Sequence, residues 1–113
     1  TVSAEEFLQS TTRLLPLAEE TTVLNAARAV GGYFPALPPM AVTLGMREIA
    51  AARRIRLYAT SGDWQRAILR IALFGAPNAP NGADVRYPVS LLRNHADIAF
   101  VADHDTAQMP VLL

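Results

Sequence analysis

Cysteine is absent from this 113-residue sequence, and histidine occurs only twice. The lack of thiols excludes disulfides, cysteine-ligated metal sites and cysteine nucleophiles. The two histidines, His95 and His104, are nine residues apart, which is not a common spacing for metal ligands. The sequence therefore indicates neither a metal site nor a bound cofactor.

An excess of charge of one sign and long apolar runs are also missing. Ten basic residues balance ten acidic ones, and only 18% of the residues are charged, so neither nucleic acid nor a membrane surface is expected as a partner. No apolar run approaches the roughly 20 residues that a transmembrane helix needs, and the N-terminus lacks a signal-peptide pattern. We therefore expect a cytoplasmic protein. A packed core is also expected, because 51% of the residues are hydrophobic.

Helix and strand patterns alternate along the chain. A capping-box pattern at Ser3 predicts a short helix to about Ser10. Further helices are expected at 22–30, 46–52, 63–74 and 90–94 and after 103. A buried strand is expected at 41–44, an alternating strand at 54–60, an apolar strand at 96–102, and an edge strand or loop at 14–17, which contains Pro16. This alternation predicts an α/β fold with a mainly parallel sheet. We expect residues 1–113 to form either a single α/β domain or a portion of a larger one, and the small number of strands, three, favours an incomplete part of a larger domain.

Small polar residues follow the strand predicted at 54–60. A strand that runs into Ser61-Gly62 and then into a helix leaves main-chain amides free at the helix N-terminus, where the helix dipole favours an anion such as phosphate. Ser61 adds a hydroxyl donor, and Gly62 permits close approach of the backbone. The alternative is that Asp63 caps the helix with its own carboxylate and nothing binds.

Three other features each have a structural interpretation beside a functional one. The arginines at 53, 54 and 56 fit a solvated helix end, where cations are favoured by the dipole. Trp64 is expected in the core, with a sugar-stacking platform as the alternative. The Asp103-His104-Asp105 run fits a helix cap, because neighbouring residues on a helix point in different directions and cannot form a catalytic relay. His95 is expected at the polar end of a helix.

The order of the segments carries more information than any single residue. Thr12-Arg13-Leu14 is followed by a T-x-x-x-N helix, a strand reading A-x-T-x-G at 41–45, and PVSLLRNHADIAFVADHDTA at 88–107. Over about residues 11–107 this order resembles the C-terminal half of the glucosamine-6-phosphate deaminase/isomerase family. The resemblance implies a Rossmann-like three-layer arrangement. It also implies conversion of glucosamine 6-phosphate to fructose 6-phosphate and ammonia.

The resemblance implies a phosphate-sugar pocket but no catalytic residue. The family's Asp-Gly-His segment with its following Glu does not occur in this sequence, so none is assigned. The family's phosphate-binding arginine falls on Ala27, with Arg28 next to it, and the phosphate-binding lysine falls nearest to Arg66. An arginine can hold phosphate bidentately. The expected binding residues are therefore Arg28, Ser61, Gly62 and Arg66.

Two other functions remain open beside the deaminase. The 6-phosphogluconolactonases share the fold and a similar strand, although Gly45-Met46 looks more like the deaminases. A non-catalytic sugar-phosphate sensor or interaction module is the third reading. The expected partners are a phosphorylated sugar and either further copies of the chain, in a homo-oligomer, or a missing N-terminal half.

Overall fold

The computed structural model describes residues 2–110, in which helices and strands alternate. The helices are α1 (Ala4–Leu8), α2 (Glu19–Ala29), α3 (Met46–Ala50), α4 (Asp63–Phe74) and α5 (His104–Ala107). The strands are β1 (Arg13–Pro16), β2 (Met40–Thr43), β3 (Ile55–Ala59) and β4 (Ile98–Ala102), and short 3₁₀ turns cover Phe34–Ala36, Pro80–Gly82 and Pro88–Leu92. None of the helices in residues 2–110 is long and apolar enough to cross a bilayer.

Local sequence signals account for the ends of several helices. Ser3 forms the predicted capping box: its Oγ accepts from the Glu6 amide at 3.2 Å, and its own amide donates to Glu6 Oε2 at 2.9 Å. The hydrogen bonds from Ser3 lower the pKa of the Glu6 carboxyl below its ordinary value. The predicted bounds of the longest helix, 63–74, are confirmed as α4, which ends at Gly75 with a φ of 94°.

The strands form two small sheets instead of the single, mainly parallel sheet that was expected. In residues 2–110, β1 pairs with β2 antiparallel, and β3 pairs with β4 parallel, with Ile55 opposite Ile98 and Ala59 opposite Ala102. The α/β class is confirmed, and so is the edge position of Pro16. The predicted mainly parallel arrangement is not seen, because the alternating pattern of a strand does not specify the direction of its partner.

The core lies between α1, α3 and the parallel pair of strands. Met46, Ile55 and Leu92 are buried there, and α4 buries Leu69 and Ala72 against the same unit. The prediction of a buried strand at 41–44 was wrong. Among residues 2–110, β2 pairs only with β1, and it is largely exposed, with Val42 73% exposed.

Hydrogen bonds around Gly45 connect the antiparallel pair, β1 and β2, to the core. Its amide donates to Thr12 Oγ1 at 3.2 Å, and the next two amides of α3, those of Met46 and Arg47, donate to Ser10 Oγ and Ser10 O. The connection between α1 and β1 therefore satisfies the amides at the start of α3, which have no partner within the helix. This contact requires such a close approach that a Cβ on Gly45 would collide with the main chain of Ser10.

Candidate functional site

The parallel pairing of β3 with β4 brings two loops together at the carboxyl end of both strands. Because Ala59 lies opposite Ala102, the turn at 60–62 runs beside Asp103 and the start of α5. Ligands of open α/β sheets bind at this edge. The sequence alone does not show that these two segments meet, since this depends on the pairing of Ala59 with Ala102, three residues before Gly62 and Asp105 respectively.

The Ser61-Gly62 turn has the conformation expected of a glycine turn, but its first amides are already bonded. Gly62 has a φ of 61°, a region that glycine adopts readily. Its amide donates to Thr106 Oγ1 at 2.9 Å, and the Ser61 amide donates to Gln65 Oε1 at 3.0 Å. Thr106 is fully buried. Protein side chains therefore occupy two of the amides that were expected to face an anion.

Asp63 does not cap the helix, so that alternative prediction was wrong. Gly62 is the cap residue of α4 and provides no side-chain hydrogen bond, and Asp63 pairs instead with Arg66, with Oδ1 and Nη1 2.5 Å apart. Within residues 2–110, the amides of Asp63 and Trp64 have no hydrogen-bond partner. These two amides are available to a ligand at the start of α4.

Arg66 lies between two acidic residues. Besides its pair with Asp63, its Nη2 lies 2.6 Å from Asp105 Oδ1, and its Nε donates to the main-chain oxygen of Asp105 at 2.9 Å. The Arg66 side chain is only 12% exposed, whereas those of Asp63 and Asp105 are 81% and 66% exposed. The guanidinium is thus enclosed, and its acidic partners face solvent.

Arg28 reaches the same end of α4 by way of Trp64. The Arg28 Cζ lies 5.3 Å from the centroid of the Trp64 ring, a cation–π contact between α2 and the first turn of α4. Trp64 is 65% exposed, so its predicted place in the core was wrong; α4 turns Leu69 and Ala72 inward instead. The ring forms one wall of an open groove of about 570 Å³. The other lining residues, on α2, are Glu19, Glu20, Val23, Leu24, Ala27 and Arg28.

The three residues of the Asp103-His104-Asp105 run do not act together. Asp103 caps α5, as predicted, by accepting from the Thr106 amide at 2.8 Å, and the hydrogen bonds from Thr106 lower the pKa of the Asp103 carboxyl. His104 is exposed, and Asp105 pairs with Arg66. Among residues 2–110, no three His, Asp or Glu side chains are placed to hold a metal ion together.

His95 has a structural role that the sequence did not reveal. Its Nε2 lies 2.7 Å from the Ala52 oxygen, and its Nδ1 accepts from the Asp97 amide at 3.0 Å, so the ring links the segments that precede β3 and β4. Arg54 and Arg56 pair with the Asp97 carboxylate nearby. The arginine cluster therefore supports the starts of the parallel strands, at the edge opposite the Ser61-Gly62 turn.

Comparison with known proteins extends the structural evidence. No protein-family profile matches the chain. The chain is 30% identical over 108 residues to a glucosamine-6-phosphate deaminase of Halothermothrix orenii, covering 93% of this chain and 40% of that protein. It is 33% identical over 103 residues to a glucosamine-6-phosphate deaminase of Rhodopirellula baltica, covering 88% of this chain and 36% of that protein.

A solved structure shows the same relationship in three dimensions. A monomeric glucosamine-6-phosphate deaminase of the NagB superfamily superposes with a TM-score of 0.74 at 26% identity, over 88% of this chain and 38% of that one. The fold is thus a mixed α/β fold of the NagB type. The resemblance to the glucosamine-6-phosphate deaminase/isomerase family is confirmed, and this chain is a relative of these deaminases over the part that it spans. That part is about two fifths of the curated relatives' length.

Proposed function

We propose that this chain forms part of the phosphate-sugar pocket of a glucosamine-6-phosphate deaminase-type protein, which converts glucosamine 6-phosphate to fructose 6-phosphate and ammonia. One contact carries the proposal: Arg28 on α2 stacks over Trp64 in the first turn of α4. The same helix, α4, bears Arg66. Arg28 lies next to the family's phosphate-binding position, which falls on Ala27, and Arg66 lies nearest to the position of the family's lysine. The deaminase matches cover 93% and 88% of this chain.

The pocket would hold the phosphate end of the sugar. The free amides of Asp63 and Trp64 and the dipole of the twelve-residue α4 favour an anion there. Arg66 and Arg28 each offer a planar fork of donors that matches phosphate oxygens. The Ser61 hydroxyl completes the proposed donors, and Gly62, whose amide is bonded to Thr106, contributes the tight turn that lets the backbone approach the anion. Proton transfer in the deaminase reaction is assigned to no residue of this chain.

The pocket would be completed by further strands and loops. In the Rossmann-like three-layer arrangement that we propose for the whole domain, additional strands would extend the two small sheets. The exposed apolar side chains of the two small sheets support this: Leu14, Val42 and Tyr58 are 59%, 73% and 68% exposed. Such apolar faces are normally covered. The rest of a deaminase-like domain, or further copies of this chain, would cover them.

Calorimetric titration with glucosamine 6-phosphate tests the pocket. We expect the purified chain to bind the sugar phosphate, and Arg66→Gln and Arg28→Gln each to weaken binding at least tenfold, because each removes a charged donor from the phosphate. Arg86→Gln is the matched control, since Arg86 is exposed and pairs with Asp84 elsewhere on the surface. Equal affinity in all four proteins, or no binding by the unmodified chain, would refute the proposal.

Ammonia release separates the deaminase from a sensor. In the protein that contains the remaining part of the domain, a deaminase releases ammonia from glucosamine 6-phosphate, whereas a sensor binds the sugar without turnover. The Arg66→Gln change should then raise the KM for the sugar phosphate more than it lowers kcat, because the residue is assigned to binding. A change confined to kcat would contradict that assignment.

A further inference from the structure

We propose that Asp105 is a built-in competitor for the anion site and sets the affinity of that site for phosphate. Its carboxylate holds the position at Arg66 that a phosphate oxygen would take, so a phosphate binds only when the carboxylate moves away. This inference rests on the proposed function, because it concerns the same pocket. It adds a residue on the neighbouring loop that the family resemblance does not select.

The contacts of Arg66 show that Asp105 behaves like a bound anion. A carboxylate oxygen of Asp105 lies 2.6 Å from Nη2, within the range of a charge-assisted hydrogen bond. The second contact, from Nε to the main-chain oxygen of Asp105 at 2.9 Å, does not depend on the carboxylate. Arg66 would therefore keep its orientation after the Asp105 side chain swings away.

The same carboxylate also covers the glycine turn. A Cβ built on Gly62 would meet Asp105 Oδ2 at 2.5 Å, so this oxygen rests directly above the Gly62 backbone. Asp105 thus stands between solvent and both parts of the proposed site, the guanidinium and the turn. Because the Asp105 side chain is 66% exposed and Arg66 only 12%, the carboxylate is the partner with room to move.

The charges explain why the affinity should depend on this one residue. Arg66 carries one positive charge and faces two carboxylates, those of Asp63 and Asp105, and the Asp103 carboxylate caps α5 on the same loop. A phosphate that enters while Asp105 keeps its charge meets an excess of negative charge. Asp105→Asn removes one of these charges without changing the size of the side chain, and it leaves the Asp103 cap intact.

Calorimetric titration with inorganic phosphate and with glucosamine 6-phosphate tests the competitor role. We expect Asp105→Asn, and Asp105→Ala as a second variant, to bind both anions at least tenfold more tightly than the unmodified chain. Adding Arg66→Gln to Asp105→Asn should abolish that gain. Asp84→Asn is the matched control, because Asp84 pairs with Arg86 away from the site, and its affinity should not change.

The outcomes separate this inference from the proposed function. If the unmodified chain binds the sugar phosphate through Arg66 and both Asp105 variants bind it no more tightly, the competitor role is refuted and the pocket stands. Weaker binding in both variants would show that Asp105 positions Arg66, which also refutes the competitor role. If none of the proteins binds either anion, the pocket and the competitor role are both wrong.

Discussion

Replacing Gly45 by alanine tests how the antiparallel unit is attached to the core. The φ of this residue is −72°, so the backbone accepts alanine, but the space does not. The added methyl would collide with the main chain of Ser10 and Thr11 and with the Glu48 carboxylate. Main-chain atoms cannot rotate away as a flexible side chain can, so the segments must move apart. Overpacking of this kind costs about 1–3 kcal/mol.

The movement would also break hydrogen bonds at the start of α3. The amides of Gly45, Met46 and Arg47 bond to Thr12 Oγ1, Ser10 Oγ and Ser10 O at 3.2, 3.3 and 3.0 Å. Each such bond contributes about 0.5–1.5 kcal/mol. Loss of two of them together with the overpacking gives an expected destabilisation of about 2–6 kcal/mol, a large part of the roughly 5–15 kcal/mol that stabilises a typical domain.

Urea unfolding followed by circular dichroism measures this loss as a lower midpoint. Gly32→Ala is the matched control: its φ is +88°, and a Cβ there would meet nothing within 4 Å. That change introduces only the strain of a left-handed alanine, about 1–2 kcal/mol. If the two variants unfold at the same midpoint, or if Gly45→Ala costs under about 1 kcal/mol, the close approach at Gly45 does not hold the β1–β2 pair to the core.

Two further predictions concern the loop that carries the site. Thr106→Val should cost about 1–3 kcal/mol of unfolding free energy because the buried Gly62 amide loses its acceptor. Thr106→Ser, which keeps the hydroxyl, should cost less in the same urea titration, and the reverse order would contradict this bond. The lowered pKa of Asp103 means that its carboxylate stabilises the folded chain above the ordinary carboxyl pKa of about 3.9, and that this contribution disappears as the pH falls through the lower folded value. The difference in unfolding free energy between the unmodified chain and Asp103→Asn should therefore be largest near pH 6 and shrink below about pH 4. A difference that does not change with pH would show that the charge of Asp103 does not stabilise the fold.

The parts of the fold that local sequence controls were predictable. The bounds of α4, the capping box at Ser3 and the cap formed by Asp103 all follow from residues within a few positions of each other. The burial of side chains was less predictable. Trp64 was expected inside and lies outside, because helical periodicity shows that a face is apolar but not which neighbour, if any, covers it.

The candidate site also contains residues that the sequence selects and residues that only the structure reveals. Ser61 and Gly62 could be selected from the sequence because a strand runs into them and a helix follows, and Arg28 and Arg66 because they lie at or next to positions in a co-linear family pattern. That assignment to the pocket remains a prediction. The partners that now occupy the turn, Thr106 and Asp105, could not be selected, since no local signal connects residues about forty positions apart.

What the sequence by itself determined is the order and type of the elements, the lack of cysteine chemistry and the relationship to the glucosamine-6-phosphate deaminases. Only the tertiary structure decided that Arg66 meets Asp105, 39 residues further along the chain. The physical reason is the parallel pairing of β3 with β4, which places the carboxyl ends of both strands at one edge. Asp63 on α4 and Asp105 on α5 can then pair with the same guanidinium.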